Sequence, residues 1–490
     1  MECALAQPER PDTTPAPMDA PPVSAPLPRS RTLREEIAQL AKLAGPIAFV
    51  QLGMTAMGFV DVAFLGHYDA AALSTMGLGN TLCWAAIVYC LGALAAIDPL
   101  LAQAVGAGDR PAVTLSLARG LLLGAVLTVP AVLLLLPSER WLAWLEQPPE
   151  LIADAALYAR INTVGILPLL WFGLLRSLHS AHSHVRPQVL AIVLGNAANV
   201  LLDWLLIKGN LGFPELGVAG AAWATVMSRW LLLVSLVWFS RDELRPYWRA
   251  LRDPSVRTAA FALRPLWNLL RLGAPIGGQF AMEMGVFAAT ALLIGRLDRD
   301  AGDAEGLRLC GHQIALQLAS LSFMIPLGIG LASSVRVGWA VGLGEPDAAR
   351  RTAKAALTGS TAVMTAFMLL YLLFPGAVAS LVTNDARAIE WAVVLLPIAG
   401  VFQIGDGVQV TSIGLLRGTG DVHAPFWINV VGFWVLGLPL GCWLAFPWGK
   451  DLGPAGLWWG LVAGLFAVAA ALLTVVRWRF KELRPRLSVE

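Results

Sequence analysis

Long apolar segments recur along the whole chain, and they restrict its fold more than any other feature of the sequence. Each is about twenty residues long or longer, which is the length of helix that crosses a hydrocarbon core of ~30 Å. The segments are residues 43–66, 70–98, 112–137, 155–178, 187–208, 216–240, 268–296, 308–334, 354–376, 388–413, 424–447 and 455–476. Only 14% of the residues are charged, whereas about a quarter are charged in soluble domains. The sequence therefore predicts an all-α membrane protein with twelve transmembrane helices.

Arginine and lysine residues are concentrated in alternate connections between these segments, most of all in the stretch 241–267. Because cytoplasmic connections carry an excess of basic residues, we expect both termini to be cytoplasmic. Residues 31–42 are expected to form a short amphipathic helix at the membrane surface. The predicted organisation is a disordered cytosolic tail (1–36), an N-lobe of six helices (37–240), a cytosolic hinge loop (241–267), a C-lobe of six helices (268–476) and a second cytosolic tail (477–490).

The two halves of the chain repeat short motifs in the same order. LAGPIAFV at 43–50 corresponds to LGAPIGGQ at 272–279, an offset of 229 residues, and VGAGD at 105–109 corresponds to VGLGE at 341–345. Since each half contains an even number of spans, both halves have the same orientation in the membrane. The repeat predicts two six-helix lobes related by a pseudo-two-fold axis, with a substrate cavity between them.

Carboxylic acids inside the apolar segments are the strongest candidates for function. They are Asp61, Asp203, Glu283 and Asp406. A charged side chain at the bilayer centre costs at least ~2.5–3.5 kcal/mol, so such residues normally face a protein interior or a water-filled cavity. Because desolvation disfavours the charged form of a carboxyl group, each acid could exchange a proton or, with more oxygen ligands, hold Na⁺. The sequence does not distinguish between H⁺ and Na⁺ as the bound ion.

Polar residues accompany these acids. Three stand three or four positions before an acid, and therefore on the same side of the helix: Asn199 before Asp203, Gln279 before Glu283, and Gln403 before Asp406. Thr225 in span 6 offers another oxygen to the N-lobe acids. Flexible or aromatic side chains that could line a substrate cavity flank the acids, with ordinary packing as the alternative: Met54, Met57, Met282 and Phe287.

Three other features have a structural interpretation. Asp98, which precedes Pro99, is expected to cap a helix at the end of span 2. Arg229 is interpreted as the one basic residue well inside a span, either extending to the interface or paired with an acid. The histidines within 179–184 are interpreted as a solvated face rather than a metal site.

The residues around the acids resemble those of the multidrug and toxic compound extrusion (MATE) family, in particular its NorM-like bacterial branch. The resemblance covers about residues 40–476. Its motifs are MGFVDVAFLGH around Asp61, AIDPLLAQAVGAGD around Asp98, GNAANVLLDWLLIKG around Asp203, GVAGAAWAT through Thr225, the span with Glu283, and GDGVQVTSIGLLRGTGD around Asp406. It implies a V-shaped antiporter that expels organic cations in exchange for Na⁺ or H⁺.

The resemblance also implies two cation sites. The N-lobe site would comprise Asp61, Asn199, Asp203 and Thr225, and the C-lobe site would contain Glu283 and Asp406, with Gln279 and Gln403 beside them. Na⁺ or H⁺ would bind at Asp61 and Asp203 or at Glu283 and Asp406. A tyrosine that precedes the span-10 acid in the family is replaced here by Phe402 or Gln403.

We therefore predict a multidrug exporter of the bacterial inner membrane that works by alternating access. Its expected partners are organic, amphipathic cations, the coupling ion and the lipid bilayer, with no nucleic acid, no other cofactor and a monomeric state. The alternative is a flippase or exporter of a lipid-linked or endogenous metabolite, which would favour a strongly basic cavity. An enzyme is not expected, because the spans lack clustered histidines, a Ser–His arrangement and a metal motif.

Overall fold

The computed structural model describes residues 32–303, 306–482 and 487 of the chain. Within them the structure is helical without strands, as membrane spans must be if their backbone groups are to be paired in lipid. Twelve helical spans are long and apolar enough to cross a membrane, which confirms the predicted number. They are, as spans 1 to 12, Leu33–Gly66, Ala71–Gly106, Arg110–Leu135, Pro149–Ala181, Arg186–Leu206, Gly217–Phe239, Leu263–Asp300, Leu307–Leu343, Pro346–Leu373, Ala386–Gly418, His423–Ala445 and Pro454–Arg479.

Span 1 begins earlier than expected. A capping box starts it, in which the Glu35 backbone N–H donates to Thr32 Oγ1 at 3.2 Å and the Thr32 N–H donates to Glu35 Oε2 at 3.4 Å. The helix then continues from Leu33 to Gly66, so the separate surface helix predicted for 31–42 is wrong: no residue there stops the helix once it has been capped. Most of the predicted N-terminal tail, residues 1–31, lies outside the described residues.

The connection between the two halves is folded rather than a loop. It contains a first linker helix, Arg241–Ala250, and a second linker helix, Pro254–Ala260. Leu244 is buried, and Arg119 of span 3 donates from Nη2 to the Ala259 carbonyl at 3.4 Å. These contacts hold the linker against the N-lobe, and the charged faces of its helices explain why it has the composition of a loop.

The histidines between spans 4 and 5 also hold the linker. Tyr247 of the first linker helix donates to His182 Nε2 at 2.9 Å, while the Glu243 carboxylate lies 3.2 Å from His184 and 3.6 Å from His179. His179 is only 3% exposed and His182 is half-buried, so the predicted solvated face holds only for His184, which is exposed. Among the described residues, no group of three or more metal-ligating side chains is found.

The contacts between the N-lobe (spans 1–6) and the C-lobe (spans 7–12) include two that are equivalent. Span 2 packs on span 7, where a β-carbon at Gly273 would collide with the Ala93 carbonyl, and span 1 packs on span 8, where Gly328 lies against Ala48. Glycine allows this close approach of helices in a membrane. Since the repeat relates span 1 to span 7 and span 2 to span 8, one contact is the image of the other. The packing thus has the predicted pseudo-two-fold arrangement.

The lobes are joined at one end of the bundle, which we call the basal end: it is the end where span 1 begins and span 2 ends. There Arg336 of span 8 donates to Glu36 of span 1 at 2.5 Å, and Thr352 of span 9 donates to the same carboxylate at 2.8 Å. Nearby, Gln103 Nε2 donates to the Gly418 carbonyl at 2.9 Å. These contacts close the space between the lobes at the basal end.

Candidate functional site

The N-lobe acids form a buried pocket between spans 1, 5 and 6. Asp61 is only 4% exposed. Its Oδ1 accepts a hydrogen bond from Asn199 Nδ2 at 3.0 Å, and its Oδ2 accepts one from Thr225 Oγ1 at 2.6 Å. Three spans far apart in sequence therefore bring together the residues that the sequence proposed, and both oxygens of the Asp61 carboxyl group are engaged.

Asp203 completes this pocket. It is 0% exposed, and its carboxyl group lies against that of Asp61, with which it interacts directly. With both carboxyl groups ionised, neither Asp203 oxygen has a hydrogen-bond donor among the described residues, and Asn199 Oδ1 also has none. Buried polar atoms nearly always have a hydrogen-bond partner. Three oxygens without one in the same pocket are therefore suited to bind a proton or a cation.

Arg229 lies at the edge of this pocket. Its Nη1 donates to Asn162 Oδ1 at 3.2 Å, and its charge acts on Asp61. Of the two predictions for this residue, pairing with an acid is therefore the closer one, although Asn162 takes the direct hydrogen bond. With both acids ionised, two negative charges and one guanidinium leave the pocket with one net negative charge. A single monovalent cation would neutralise it.

The C-lobe acid Glu283 is held by two amides. Its Oε1 accepts hydrogen bonds from Gln279 Nε2 at 3.1 Å and from Gln409 Nε2 at 2.8 Å. The same Gln409 nitrogen contacts Asn429 Oδ1 at 2.6 Å, just before a stretch of π-helix at Val430–Gly437 in span 11. Such π-helical segments occur often at functional sites. The sequence predicted Gln279 here but missed Gln409 and Asn429.

Asp406 interacts electrostatically with Glu283, and both side chains are half-buried. Gln403 does not accompany Asp406 as expected: it is fully buried and donates to the Ala319 carbonyl of span 8 at 3.2 Å. Residues three apart on a helix differ by about 60° in direction. That rotation is enough to turn Gln403 into the lobe while Asp406 faces Glu283.

Asp98 is not a helix cap. Span 2 bends at Ala95–Ala96, and Asp98 lies in the first turn of its second segment, Ile97–Gly106, where its side chain bonds to Ser177 of span 4. The predicted end of span 2 at residue 98 is therefore wrong by about two turns, because Pro99 is accommodated in the first turn of a new segment.

Two arginines near helix ends are shielded from solvent: Arg176 of span 4 is half-buried and Arg417 of span 10 is buried. The positive charges of Arg176 and Arg417 both attract the Asp98 carboxylate. Arg417 also attracts the Glu283 carboxylate. The Arg417 guanidinium donates to Gln279 Oε1 at 3.3 Å and lies 5.0 Å from the Phe280 ring. Arg417 thus links an acid of the N-lobe to the acid site of the C-lobe.

The four residues predicted to line a cavity differ in burial. Met57 is buried, and Phe287 packs edge-to-face on Phe402 with 6.1 Å between ring centroids. Met54 is half-buried and Met282 is exposed. A cavity role stays a prediction for all four.

Comparison with known proteins gives one family. The model of the MatE family matches residues 46–205 and 275–443, once in each half, and the two matches begin 229 residues apart, the offset of the repeated motifs. The multidrug resistance protein NorM of Burkholderia vietnamiensis is 35% identical over 459 residues, covering 92% of this chain and 94% of that protein. The multidrug resistance protein MdtK of Pectobacterium atrosepticum is 32% identical over 464 residues, covering 93% and 97%.

Solved structures show the same fold. The eukaryotic MATE transporter AtDTX14 superposes with a TM-score of 0.77 at 21% identity, covering 91% of this chain and 96% of that one. An outward-facing multidrug resistance MATE transporter of the MOP superfamily superposes with a TM-score of 0.79 at 18% identity, covering 93% and 99%. The two-lobed, twelve-helix architecture described above is the fold of these transporters.

Proposed function

Because this chain belongs to the MatE family, we propose that it is a secondary active multidrug exporter that expels organic, amphipathic cations in exchange for Na⁺ or H⁺. The observation that carries the proposal is the N-lobe pocket, in which the buried carboxyl groups of Asp61 and Asp203 adjoin one another. Relatives more than 30% identical over nearly the whole chain bear the name of multidrug resistance proteins, which supports the substrate class.

The N-lobe pocket is the proposed site of the coupling ion. Asp203 is fully buried, so a proton or a bare Na⁺ fits there and an organic cation does not. Na⁺ would take the hard oxygen ligands of Asp203 together with Asn199 Oδ1, whereas a proton on Asp203 would supply a donor to Asp61. Asn199 and Thr225 hold Asp61 in place for either ion.

The C-lobe acids are the proposed contact for the organic cation. Glu283 and Asp406 are half-buried rather than fully buried, so a larger molecule can reach them. Gln279 and Gln409 fix the direction of the Glu283 carboxylate. Arg417 acts on this acid, so movement of Arg417 toward or away from Asp98 would change the attraction that Glu283 exerts on a cation.

The charges between the lobes favour a cationic substrate. Arg176 and Arg417 make this region more basic than the sequence indicated, but Asp98 and Glu283 face these arginines and Asp406 adjoins Glu283. With all five groups ionised, the region carries three negative charges and two positive ones. A flippase for a lipid-linked pyrophosphate would gain from a strongly positive cavity. The balance of one net negative charge counts against that alternative.

The basal end is the proposed cytoplasmic end, because the arginine-rich linker lies there. The proposed functional unit is a monomer, because one chain supplies both lobes. We propose that the state in which the lobes are joined at the basal end is an outward-facing one. Inward opening would separate Glu36 from Arg336 and Gln103 from Gly418. The coupling ion and the substrate would favour opposite states, which is how exchange becomes obligatory.

The proposal is tested by transport of a fluorescent organic cation into everted membrane vesicles. We expect Asp61→Asn and Glu283→Gln each to reduce uptake to the level of vesicles without the protein, at unchanged amounts in the membrane. Asp154→Asn, which changes an exposed acid in span 4, is the matched control and should transport normally. Full uptake by either of the first two variants would refute the assigned roles.

A further inference from the structure

A cavity of about 740 Å³ lies on the outer surface of the N-lobe, away from both acid sites. Its walls come from spans 3, 4 and 6, and the two linker helices close it at the basal side. Along span 3 it extends from Ala118 to Ala125, about 10 Å at 1.5 Å per residue. Its size is that of a typical ligand pocket, for which ~300–1,000 Å³ is usual.

The body of the cavity is apolar. Leu121, Leu122 and Val234 line its helical walls, and Trp171, Trp238 and Trp248 add large flat surfaces. The Trp171 indole N–H donates a hydrogen bond to the Leu121 carbonyl at 3.0 Å. This ring therefore presents carbon atoms to the cavity. The cavity lies on the surface that faces the hydrocarbon region of the membrane. A flexible alkyl chain is the kind of group that fits such a surface.

The rim of the cavity is positively charged. Among the described residues that line it, the charged ones are Arg241 and Arg257. Arg241 follows span 6 by two positions and lies 5.4 Å from the Trp238 ring, which places it at the level of the membrane interface. The nearest acid before Arg257, Asp253, is exposed; it is bonded to Ser255 at 2.9 Å and also interacts electrostatically with Arg257.

We propose that this cavity binds an anionic phospholipid of the leaflet at the basal end. One acyl chain lies along spans 3, 4 and 6, and the phosphate group contacts Arg241 and Arg257. Basic pockets between transmembrane helices on the cytoplasmic side bind anionic headgroups in this way. Because Arg241 comes from the first linker helix and Arg257 from the second, the lipid would hold the linker between the lobes against the N-lobe.

Native mass spectrometry of the full-length protein in detergent tests this proposal, with dioleoyl phosphatidylglycerol and dioleoyl phosphatidylcholine as probes. We expect one saturable high-affinity phosphatidylglycerol, bound more tightly than phosphatidylcholine. The double variant Arg241→Gln/Arg257→Gln should weaken phosphatidylglycerol binding by roughly thirtyfold, since each arginine near the surface contributes about fivefold. It should leave phosphatidylcholine binding unchanged.

A matched variant separates this site from general attraction to a basic surface. Arg252→Gln/Arg264→Gln removes the same charge from two exposed positions outside the cavity, one in the linker and one in the first turn of span 7, and should bind phosphatidylglycerol as the wild-type protein does. Ala125→Phe keeps both rim arginines but fills the cavity, and it should weaken binding of the diacyl lipid. Its effect also reports on the site if the double variant proves unstable.

Three results would overturn the proposal: equal binding of the two lipids, equal losses in the two double variants, or unaltered binding by Ala125→Phe. Displacement of the first phosphatidylglycerol by an organic cation would also overturn it, because the cavity would then be a substrate site. None of these outcomes depends on transport, so the lipid site and the proposed exporter function can fail independently.

Discussion

The ion pair between Glu36 and Arg336 should control closure of the basal end. The two side chains are 3% and 4% exposed, and they belong to different lobes. Replacing Arg336 by Met removes the guanidinium and leaves the Glu36 carboxylate with the Thr352 hydroxyl as a neutral donor. Breaking a buried ion pair from one side costs about 3–5 kcal/mol. If that cost falls on the closed state, the balance between closed and open states shifts by ~150- to ~5000-fold.

The shift can be measured as a distance across the basal end. Spin labels at Arg186→Cys in the N-lobe and Arg351→Cys in the C-lobe occupy exposed positions at that end, in a background freed of the five native cysteines. Electron–electron resonance should then give a longer mean distance in Arg336→Met than in the otherwise unchanged protein.

Two further variants make the reasoning refutable. Arg350→Gln breaks contacts that lie within the C-lobe, to Asp347 and the Phe480 carbonyl, and should leave the distance unchanged. Replacing both partners, as in Glu36→Leu/Arg336→Leu, removes the buried lone charge and should restore much of the closed state. An unaltered distance distribution in Arg336→Met, with a normal response to substrate, would show that this pair does not hold the lobes together.

Two other predictions concern the linker and the C-lobe site. Burial lowers the pKa of His182 from its usual 6.5, so the stability that it contributes is complete above pH 6.5 and is lost as the pH falls below that value, by at most ~1.4 kcal/mol per pH unit. The melting temperature should therefore fall less between pH 7.5 and 5.5 in His182→Gln than in the wild-type protein, and an equal or larger fall would contradict this. Gln409→Leu should reduce transport at least tenfold because it removes one of the two amide donors to the Glu283 carboxylate. Gln403→Leu should leave the apparent affinity for substrate unchanged. A larger loss in Gln403→Leu than in Gln409→Leu, measured by vesicle uptake, would restore Gln403 to the site.

The global architecture was predictable because it depends on properties that are local in sequence. Segment length and apolarity fix the number of spans, and the shared offset of the repeated motifs fixes the relation between lobes. Acids in apolar segments stand out because burial of a charge is costly. For the same reason Asp61 and Asp203 could be proposed as partners, although only the packing of spans 1, 5 and 6 brings them together.

The sequence predictions fail where the direction in which a side chain points determines its contacts. Arg176 and Arg417 lie near helix ends, and only tertiary packing shows that their charges interact with Asp98. Gln403 and Gln409 are equally close to Asp406 in sequence, and only tertiary packing shows that Gln409 is the one that reaches Glu283. The linker was taken for a loop because its helices are short and charged.

The central claim is that Asp203 and Asp61 together bind the coupling ion. It is tested most directly in everted vesicles by imposing Na⁺ and H⁺ gradients separately and following uptake of an organic cation by the wild-type protein and by Asp203→Asn. The account predicts that one of the two gradients drives uptake by the wild-type protein and that Asp203→Asn no longer responds to it, while its binding of the organic cation at equilibrium is retained. Gradient-driven uptake by Asp203→Asn equal to that of the wild-type protein would contradict it.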